Sequence, residues 1–319
     1  MILIISNKQD ITSDYVVLEI QKRGIDYARI NTEDFPVRSS GSVHISHEGI
    51  ESIFCTPNKS IDFKLIKSVW YRRPVRPHID SSIDNPGLKK FCLDESQDFL
   101  RGLWYSLDCF WISNMEAIRR AEHKVFQLQI AKNLGFTIPK TLISNQPDEV
   151  ENFYHSICKN GMIIKPLFMG FIDDDDNPKT IYTSEVKLED FVDKQSITYA
   201  PSIFQEKINK KADIRVTVIG QKIYAAEIHT KGHKSVDWRK FSIDKLVHHP
   251  HILPKKLAEK CVNLVQRLGL EFGAIDLALS EDGRYVFFEI NPNGQWAWLE
   301  DVLDWPLSSE LVDLLVRGK

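Results

Sequence analysis

Apolar positions in the first third of the chain come in short runs separated by segments of helical periodicity. The runs predict strands at Ile2–Ser6, Tyr27–Asn31 and Ser68–Tyr71, and the periodic segments predict helices at Thr12–Arg23 and Gly87–Leu107. Gly24 follows the first helix, where glycine commonly ends a helix. Strands that alternate with helices in this way predict a small α/β unit with a parallel sheet and covering helices.

Helical and strand patterns continue through the middle and the end of the chain. The middle holds predicted helices Met115–Leu134 and Asp148–Cys158 and predicted strands Ile138–Ile143, Met162–Pro166 and Thr180–Thr183. The last part holds predicted strands Ser202–Lys207, Ile214–Ile219, Ile223–His229, Phe272–Leu279 and Tyr285–Asn291, with helices Pro254–Leu268 and Pro306–Arg317. We therefore expect an α/β (α+β) protein of three parts: an N-terminal α/β unit over residues 1–113, a central unit over 114–203 and a sheet-rich C-terminal unit over 204–319.

Composition narrows the class of protein. The 319 residues carry 41 Lys and Arg against 44 Asp and Glu, a net charge of −3, which gives no electrostatic basis for binding nucleic acid or an anionic membrane. No apolar run approaches the roughly 20 residues that cross a bilayer. The five cysteines are scattered without a Cys-x-x-Cys pair, as expected in a reducing compartment. A soluble, cytoplasmic protein is predicted.

The last two predicted strands carry the most informative polar residues. Asp282-Gly283 lies between them and favours the positive φ of a tight hairpin turn. A turn centred there places Asp276 directly opposite Glu289, with Cβ atoms about 5 Å apart. Asn291 lies two residues beyond Glu289 and shares its face, whereas Phe288 is expected to point the other way.

These side chains form a candidate metal site. Two carboxylates held this close repel one another unless a cation or a proton lies between them. Carboxylate and amide oxygens suit Mg²⁺, which takes further ligands from water and from nucleotide phosphates. The alternative is a surface hairpin whose acidic side chains are solvated.

Basic side chains that could face a phosphate occur upstream. Lys165 lies at the end of the apolar strand Met162–Pro166, where a lysine needs a charged partner. Arg215 shares a strand face with Asp213, and its guanidinium can bind a phosphate through two parallel hydrogen bonds; the alternative is a structural Asp–Arg pair. Lys124 in a predicted helix and Arg239 in a basic loop complete the set. Walker and Rossmann glycine motifs are absent, so a nucleotide must be held in another way.

Taken in order along the chain, these residues resemble the ATP-grasp ligases. The residues that carry the resemblance are Lys124, Lys165, Gln205, Glu206, Asp213, Ile214, Arg215, Arg239, Asp276, Glu289 and Asn291. The resemblance runs from residue 114 to the end, and the N-terminal third resembles the pre-ATP-grasp α/β domain of that superfamily. The implied cofactors are ATP and two Mg²⁺ ions.

The resemblance also implies a role for each residue. Lys124 and Lys165 would contact the nucleotide phosphates, and Arg215 and Arg239 would stabilise the transferred phosphate. The adenosine would be bound by the hinge Gln205, Glu206, Lys207 and Ile208 and by Asp213. The Mg²⁺ ions would be held by Asp276, Glu289 and Asn291. The implied catalytic residues are Arg215, Arg239, Lys165 and Glu289.

Within the superfamily the chain is similar to the microviridin-type maturases, which macrocyclise graspetides. The similarity rests on Val69-Trp70-Tyr71-Arg72-Arg73-Pro74 and on the run from Asn291 to Glu300. It implies that ATP phosphorylates an Asp or Glu side chain of a ribosomally made precursor peptide, leader plus core. A Thr or Ser hydroxyl or a Lys amine of the same peptide then attacks, with the base left open between Glu289 and the peptide. A homodimer is an expectation from the resemblance alone.

Two charged segments and two other functions remain open. Arg72, Arg73 and Arg76 are expected in a loop, because prolines end the preceding strand. They would contact an acidic peptide core, or else form a solvated basic loop. The acidic run Asp173–Asp176 is expected to be a solvated loop. The other functions are an ATP-grasp ligase that adds an amino acid to a protein or small carboxylate, and a non-catalytic nucleotide-binding module.

Overall fold

The structure is a computed structural model that describes residues 1–168, 170–172, 179–232 and 235–318. The chain folds into two compact units. The first comprises Met1–Met115, Leu270–Phe272 and Gln295–Lys319, and the second comprises Glu116–Gly269 and Gly273–Gly294. The end of the chain, which the sequence assigns to the C-terminal part, thus lies in the first unit. The acidic run Asp173–Asp176 lies outside the described residues.

The first unit is built on two sheets. Its strands are β1 (Ile2–Ser6), β2 (Tyr27–Asn31), β3 (Ser40–Ser46), β4 (Gly49–Cys55), β5 (Ser60–Asp62), β6 (Ser68–Tyr71) and β7 (Phe110–Ile112). A parallel sheet has the order β2-β1-β6-β7, and β3, β4 and β5 form an antiparallel sheet. The parallel sheet confirms the predicted α/β unit, whereas the antiparallel sheet was not predicted, because its strands β3 and β4 are mostly exposed and lack an apolar run.

The described residues of the first unit include four α-helices. They are α1 (Ile11–Lys22), α2 (Pro86–Tyr105), α7 (Ala297–Leu303) and α8 (Leu307–Arg317). Gly24 follows α1 with a φ of 65°, as the sequence predicts. The core of the unit includes Leu3, Ile5 and Val69 from the parallel sheet and Trp104 from α2. Burying every residue of β1 explains its continuous apolar run.

The second unit contains a small antiparallel sheet and a larger one. The small sheet has the order β12-β9-β13-β8 and consists of β8 (Thr141–Ser144), β9 (Met162–Lys165), β12 (Ser184–Val186) and β13 (Ser202–Glu206). A separate pair is formed by β10 (Phe171–Ile172) and β11 (Lys179–Thr180). The predicted strand Thr180–Thr183 is wrong: residues 181–183 are irregular and connect β11 to β12.

The larger sheet carries the C-terminal strands. It has the order β16-β15-β14-β17-β18 and consists of β14 (Lys210–Ile219), β15 (Lys222–Thr230), β16 (Leu246–Pro250), β17 (Phe272–Ser280) and β18 (Tyr285–Asn291). The helices of the second unit are α3 (Met115–Glu122), α4 (Lys124–Asn133), α5 (Pro147–Ser156) and α6 (Lys255–Arg267). Among the described residues, no helix is both long and apolar enough to cross a membrane.

The predicted helix Met115–Leu134 is two helices. His123 has an extended conformation between α3 and α4, so Lys124 becomes the first residue of α4. The side-chain amide of Gln127 donates to the carbonyl of Ala121, one of the groups left at the end of α3. This interruption was not predicted, because no glycine or proline marks it and the second partner of Gln127, the carbonyl of Ile290, is distant in sequence.

Candidate active site

The β17–β18 hairpin places the predicted acidic residues together. Asp276 pairs with Glu289 in the ladder, as predicted. The turn itself is one residue longer than predicted, since Ser280 and Arg284 close it through a backbone bond of 2.9 Å. A β-bulge between Asp276 and Leu277 compensates, because Leu277 pairs with Phe287 and leaves the residue between Phe287 and Glu289 unpaired.

The bulge also corrects the predicted direction of Phe288. The sequence pattern points this ring away from the acidic face, but Phe288 lines the same cleft as Asp276 and Glu289. Its neighbour Phe287 is fully buried and packs against Phe136, with ring centroids 5.3 Å apart and the ring planes tilted by 51°. The extra residue therefore rotates one of two adjacent phenylalanines into the cleft and keeps the other in the core.

Asn291 joins the two carboxylates. Its amide nitrogen lies 3.4 Å from Asp276 Oδ2 and 3.3 Å from Glu289 Oε1. Two carboxylates and one amide are thus brought together on one face, the arrangement on which the predicted metal site depends. Among the described residues, three His, Cys, Asp or Glu side chains nowhere converge on one cation position, so a metal here needs the amide and water or phosphate as further ligands.

Lys124 is held against Glu289 by the start of α4. Its ammonium lies 2.9 Å from Glu289 Oε2, and both side chains are largely buried. Gln127, one turn further along α4, donates to the carbonyl of Ile290 (2.8 Å) and accepts from its amide (3.2 Å). These bonds attach α4 to the backbone of β18 beside Glu289, which fixes the distance between Lys124 and the acidic cluster.

Lys165 reaches the cleft from the small sheet. It is the last residue of β9, and its ammonium lies 5.9 Å from the centroid of the Phe288 ring, within the range of a cation–π contact. Burial lowers the pKa of Lys165, and the negative charge of Glu289 partly offsets this. Lys165 therefore faces the charge of Glu289 across the cleft, and its contact with a phosphate stays a prediction.

The predicted hinge covers the last two residues of β13 and the start of the connection to β14, and it lines the cleft. Gln205 is buried and donates to the hydroxyl of Thr141 (2.8 Å), while Glu206 accepts from the backbone of Lys140 (3.0 Å). Lys207 pairs with Glu185 at 2.7 Å. The side chains of these hinge residues are therefore engaged with neighbouring strands, and the connection through Ile208 lies at the cleft wall.

Asp213 and Lys210 form a pair at the start of β14. Lys210 Nζ lies 2.7 Å from Asp213 Oδ1 and donates to the carbonyl of Val236 at 3.1 Å. Burial raises the pKa of Asp213, and the ammonium of Lys210 opposes this. Asp213 lines the cleft, as predicted, but Lys210 is a functional candidate that the sequence did not single out.

Arg215 contacts the acidic cluster from β14. One guanidinium nitrogen lies 2.9 and 3.0 Å from the two oxygens of Asp276. Gly294 makes room for it: a Cβ at this glycine would lie 2.6 Å from Arg215 Nη2 and 2.4 Å from the Cβ of Ala274. Arg215 thus pairs with Asp276 and Asp213 with Lys210, which differs from the alternative of a structural Asp213–Arg215 pair. Phosphate binding by Arg215 stays a prediction.

Arg239 approaches the cluster from a loop over residues 235–240. Its Nη1 lies 3.9 Å from Glu289 Oε1, and its Nη2 lies 2.8 Å from Asp237. Hydrogen bonding to Asp237 raises the pKa of Arg239. The guanidinium is therefore a fixed positive charge at the edge of the cleft.

Glu289 is the electrostatic centre of the site. Burial alone would raise the pKa of this carboxyl, but the charges of Lys124, Lys165 and Arg239 outweigh burial and hold the pKa well below its usual range. An ionised Glu289 is consequently a ligand for cations and a weak proton acceptor.

All these groups meet at one cleft of about 520 Å³ within the second unit. The predicted residues that line it are Lys165, Gln205, Glu206, Lys207, Ile208, Asp213, Arg239, Asp276 and Glu289. Lys124, Arg215 and Asn291 do not line it but contact Asp276 or Glu289 directly. An acidic patch surrounded by cations, beside an enclosed wall, has the composition of a metal–phosphate site.

Comparisons with known proteins agree with this geometry. A family model described as the MvdD pre-ATP grasp domain matches residues 1–119. The macrocyclase MdnB from Microcystis aeruginosa MRC is 32% identical, with a TM-score of 0.84 and coverage of 99% of either chain. The chain belongs to the ATP-grasp macrocyclase family. This confirms the resemblance, the mixed α/β fold and the N-terminal pre-ATP-grasp domain that the sequence predicts.

Two further proteins are similar to this macrocyclase family member. A RiPP-associated ATP-grasp ligase from Chryseobacterium gregarium, solved in complex with ADP and a leader and core peptide, is 29% identical, with a TM-score of 0.91 over 99% of this chain and 96% of that one. A curated probable alpha-L-glutamate ligase from Saccharophagus degradans is 27% identical over 57% of this chain. The chain spans 59% of the length of that curated relative.

The three arginines predicted to contact a peptide, Arg72, Arg73 and Arg76, have different environments. Arg72 is 1% exposed and lies 3.3 Å from Asp10, whose side chain is fully buried. The prediction that Arg72 contacts a peptide is therefore wrong for the described conformation, because its charge is used inside the unit. Arg73 and Arg76 are exposed, as a substrate contact requires.

Four residues of the site were missed by sequence reasoning. They are Gln127, Lys210, Asp237 and Phe288. Asp237 left a signal, the Asp-x-Arg spacing with Arg239, whereas Lys210 left none, because residues three apart in a regular strand point to opposite faces. Gln127 and Phe288 left none, since a helix break and a β-bulge decide their direction.

Proposed function

We propose that this chain is an ADP-forming ligase that forms ester or amide crosslinks within a ribosomally made precursor peptide. The observation that carries the proposal is the convergence of Asp276, Glu289 and Asn291 with Lys165 and Arg239 at one cleft. The relative from Chryseobacterium gregarium, which binds ADP and a leader and core peptide, supports the same nucleotide and substrate class here.

The acidic cluster fits Mg²⁺. Its donors are hard oxygens, and Asn291 presents its amide oxygen to a cation after a half-turn of the amide, an orientation assigned from hydrogen bonding. Asp276, Glu289 and Asn291 are the residues that would hold the two ions. Bound Mg²⁺ supplies charge neutralisation for the phosphates.

The surrounding residues bind and orient ATP. Lys124 and Lys165 contact its phosphates, and the hinge over residues 205–208 together with Asp213 binds the adenosine. Arg215 and Arg239 stabilise the charge on the transferred phosphoryl group. A low-dielectric wall that includes Phe288 strengthens these interactions.

The reaction proceeds in two balanced steps. A peptide carboxylate oxygen attacks the γ-phosphorus, and the bond to the β-phosphate oxygen breaks to give ADP and an acyl phosphate. A hydroxyl or amine of the same peptide then attacks the carbonyl, and inorganic phosphate leaves as the nucleophile loses a proton. The proton is taken up by a base, for which Glu289 and a side chain of the peptide are the candidates, and the lowered pKa of Glu289 makes it the weaker acceptor of the two.

A second candidate function is the ligation of an amino acid to a protein or small carboxylate. The similarity to a probable alpha-L-glutamate ligase favours it. Both functions use the same nucleotide site, so they differ only in the acceptor. Arg73 and Arg76 are the candidates for binding an acidic peptide core.

The mass of the product separates the two functions. The enzyme is incubated with ATP, Mg²⁺ and a precursor peptide that contains Thr and clustered Asp or Glu. Macrocyclisation lowers the peptide mass by one water for each ADP formed, whereas ligation raises the mass by one amino-acid residue. Asp276→Ala and Glu289→Ala are expected to abolish product and to keep the circular dichroism spectrum of the folded protein. Near-wild-type turnover by either variant contradicts the metal assignment.

The homodimer expected from the resemblance is also part of this proposal. Sedimentation velocity over a tenfold range of protein concentration measures it. A single species at the 36.9 kDa mass of the chain contradicts the dimer without affecting the assigned chemistry.

A further inference from the structure

The loop over residues 235–240 is held at two points, neither of which belongs to the catalytic set. We call these residues the Arg239 loop. Lys210 donates to the carbonyl of Val236 at 3.1 Å. Asp237 accepts from the backbone amide of Thr183 at 3.2 Å, and Thr183 belongs to the connection between β11 and β12. The loop is therefore tied both to β14 and to the small-sheet side of the cleft.

Asp237 binds Arg239 through three further hydrogen bonds. Asp237 Oδ1 accepts from the amide of Arg239 at 3.1 Å and from its Nε at 2.9 Å, and Oδ2 accepts from its Nη2 at 2.8 Å. The Asp237 side chain is 4% exposed, whereas the Arg239 side chain is 50% exposed. The carboxylate is thus the buried, fixed partner of a long side chain that would otherwise have many rotamers.

The bonding pattern gives the guanidinium a direction. Asp237 occupies Nε and Nη2, and the remaining nitrogen, Nη1, lies 3.9 Å from Glu289 Oε1. A planar guanidinium that is held along one edge can turn only its opposite side toward the cleft. That side faces the position where the acidic cluster and the nucleotide phosphates meet.

We propose that Asp237 is a positioning residue that aims Arg239 at the transferred phosphate. The role of Arg239 rests on the proposed function, but the contacts of Asp237 do not. Asp237 lines the same cleft as Arg239, and its part in the reaction is to hold Arg239. The bond from the Thr183 amide to Asp237 also ties the orientation of Arg239 to the connection between β11 and β12.

A double-mutant cycle tests this. Affinity for Mg²⁺ with the non-hydrolysable analogue AMPPNP is measured by calorimetry for wild type, Asp237→Ala, Arg239→Ala and the double variant. Asp237→Ala is expected to weaken binding about tenfold when Arg239 is present and less than twofold when Arg239 is already alanine. Asp237→Asn, which keeps one acceptor oxygen, is expected to fall between wild type and Asp237→Ala and replaces it if the alanine variant does not fold.

The chain offers a matched control. Asp282 and Arg284 form the same Asp-x-Arg pair on the exposed hairpin turn, with Arg284 Nε 2.7 Å from Asp282 Oδ2. Asp282→Ala is expected to leave nucleotide affinity unchanged. Equal losses from Asp237→Ala in both Arg239 backgrounds, or no loss in either, overturn the proposal. The cycle measures nucleotide binding without peptide, so its result does not depend on crosslinking. A failure to crosslink a peptide would count against the proposed function and not against the role of Asp237.

Discussion

The two carboxylates of this site, Asp276 and Glu289, are stabilised by neighbouring cations. Glu289 lies within a group of three cations, and Arg215 neutralises Asp276 at 2.9 Å. Before any metal is bound, the carboxylates are therefore already paired, and the low pKa of Glu289 is an expression of that pairing. This makes Glu289 a contributor to stability as well as to cation binding.

The pH dependence of unfolding reports the pairing of Glu289. Because the folded-state pKa lies below the ordinary value of about 4.3, the ionised carboxyl stabilises the fold above that pH, and this stabilisation is lost as pH falls toward the folded pKa. We expect Glu289→Gln to cost about 3 kcal/mol at pH 7 in nucleotide-free protein. The difference from wild type should narrow from pH 5 to pH 3.5 in urea unfolding curves.

A surface glutamate provides the control for this measurement. Glu259 on α6 is exposed, so Glu259→Gln should give a small difference from wild type at every pH. A difference for Glu289→Gln that stays constant or grows as pH falls would contradict the low pKa.

Gly294 is constrained by space and not by its backbone angle. A Cβ would lie 2.4 Å from the Cβ of Ala274 and 2.6 Å from Arg215 Nη2. We expect Gly294→Ala to lower the free energy of unfolding by about 1–3 kcal/mol and to displace Arg215, with a loss of turnover. Gly102→Ala on α2, where a Cβ meets nothing within 4 Å, should instead raise the free energy of unfolding by up to about 1 kcal/mol. Equal effects of the two substitutions in denaturant unfolding would show that the space around Gly294 does not matter.

At the scale of elements, the β17–β18 hairpin shows how a local irregularity builds a site. If the side chains alternated strictly along β18, those of Phe288 and Glu289 would point to opposite faces of the sheet. The bulge at Leu277 breaks the alternation once, so Phe288 and Glu289 both line the cleft. The predicted pairing of Asp276 with Glu289 is confirmed only because a longer turn and the bulge cancel each other.

Two adjacent phenylalanines therefore have separable roles. Phe287→Ala should lower the free energy of unfolding by about 3–5 kcal/mol, because it empties a fully buried position next to Phe136. Phe288→Ala should lower it much less but weaken ADP binding about tenfold, because Lys165 and the nucleotide lose an aromatic wall. Urea unfolding and calorimetric titration of both variants check this. A loss of ADP binding by Phe287→Ala together with a large loss of stability by Phe288→Ala would contradict the position of the bulge.

At the scale of the whole molecule, the first unit joins segments from both ends of the chain. Asp10 follows β1, Arg72 follows β6, and Gln295 begins the C-terminal segment. Arg72 lies 3.3 Å from Asp10 and donates to Gln295 at 2.7 Å. Ser6 also donates to Asp10, at 3.1 Å. This buried polar network gives the Arg72 and Gln295 positions of the family resemblance a structural role within the unit.

Removing one partner of this network should lower the free energy of unfolding. Arg72→Met leaves the Asp10 carboxylate buried without its cation, and we expect a loss of about 3–5 kcal/mol in the free energy of unfolding. Adding Asp10→Ala should recover at least half of that loss, because the uncompensated charge is gone. Arg73→Met, at the exposed neighbour, should change stability by less than about 0.5 kcal/mol. A double variant as unstable as Arg72→Met would contradict the charge explanation.

The sequence by itself determined three of the four parallel strands of the first unit (β1, β2 and β6, but not β7) and the pairing of β17 with β18. It also determined the order of the charged side chains along the chain. It did so because apolar periodicity, glycine at helix ends and Asp-Gly turns act over a few residues. Tertiary structure alone decided that α3 and α4 separate at His123, that Phe288 enters the cleft and that Arg72 is buried. Each of these depends on a partner far away in sequence or on a bulge, and local pattern carries no information about either.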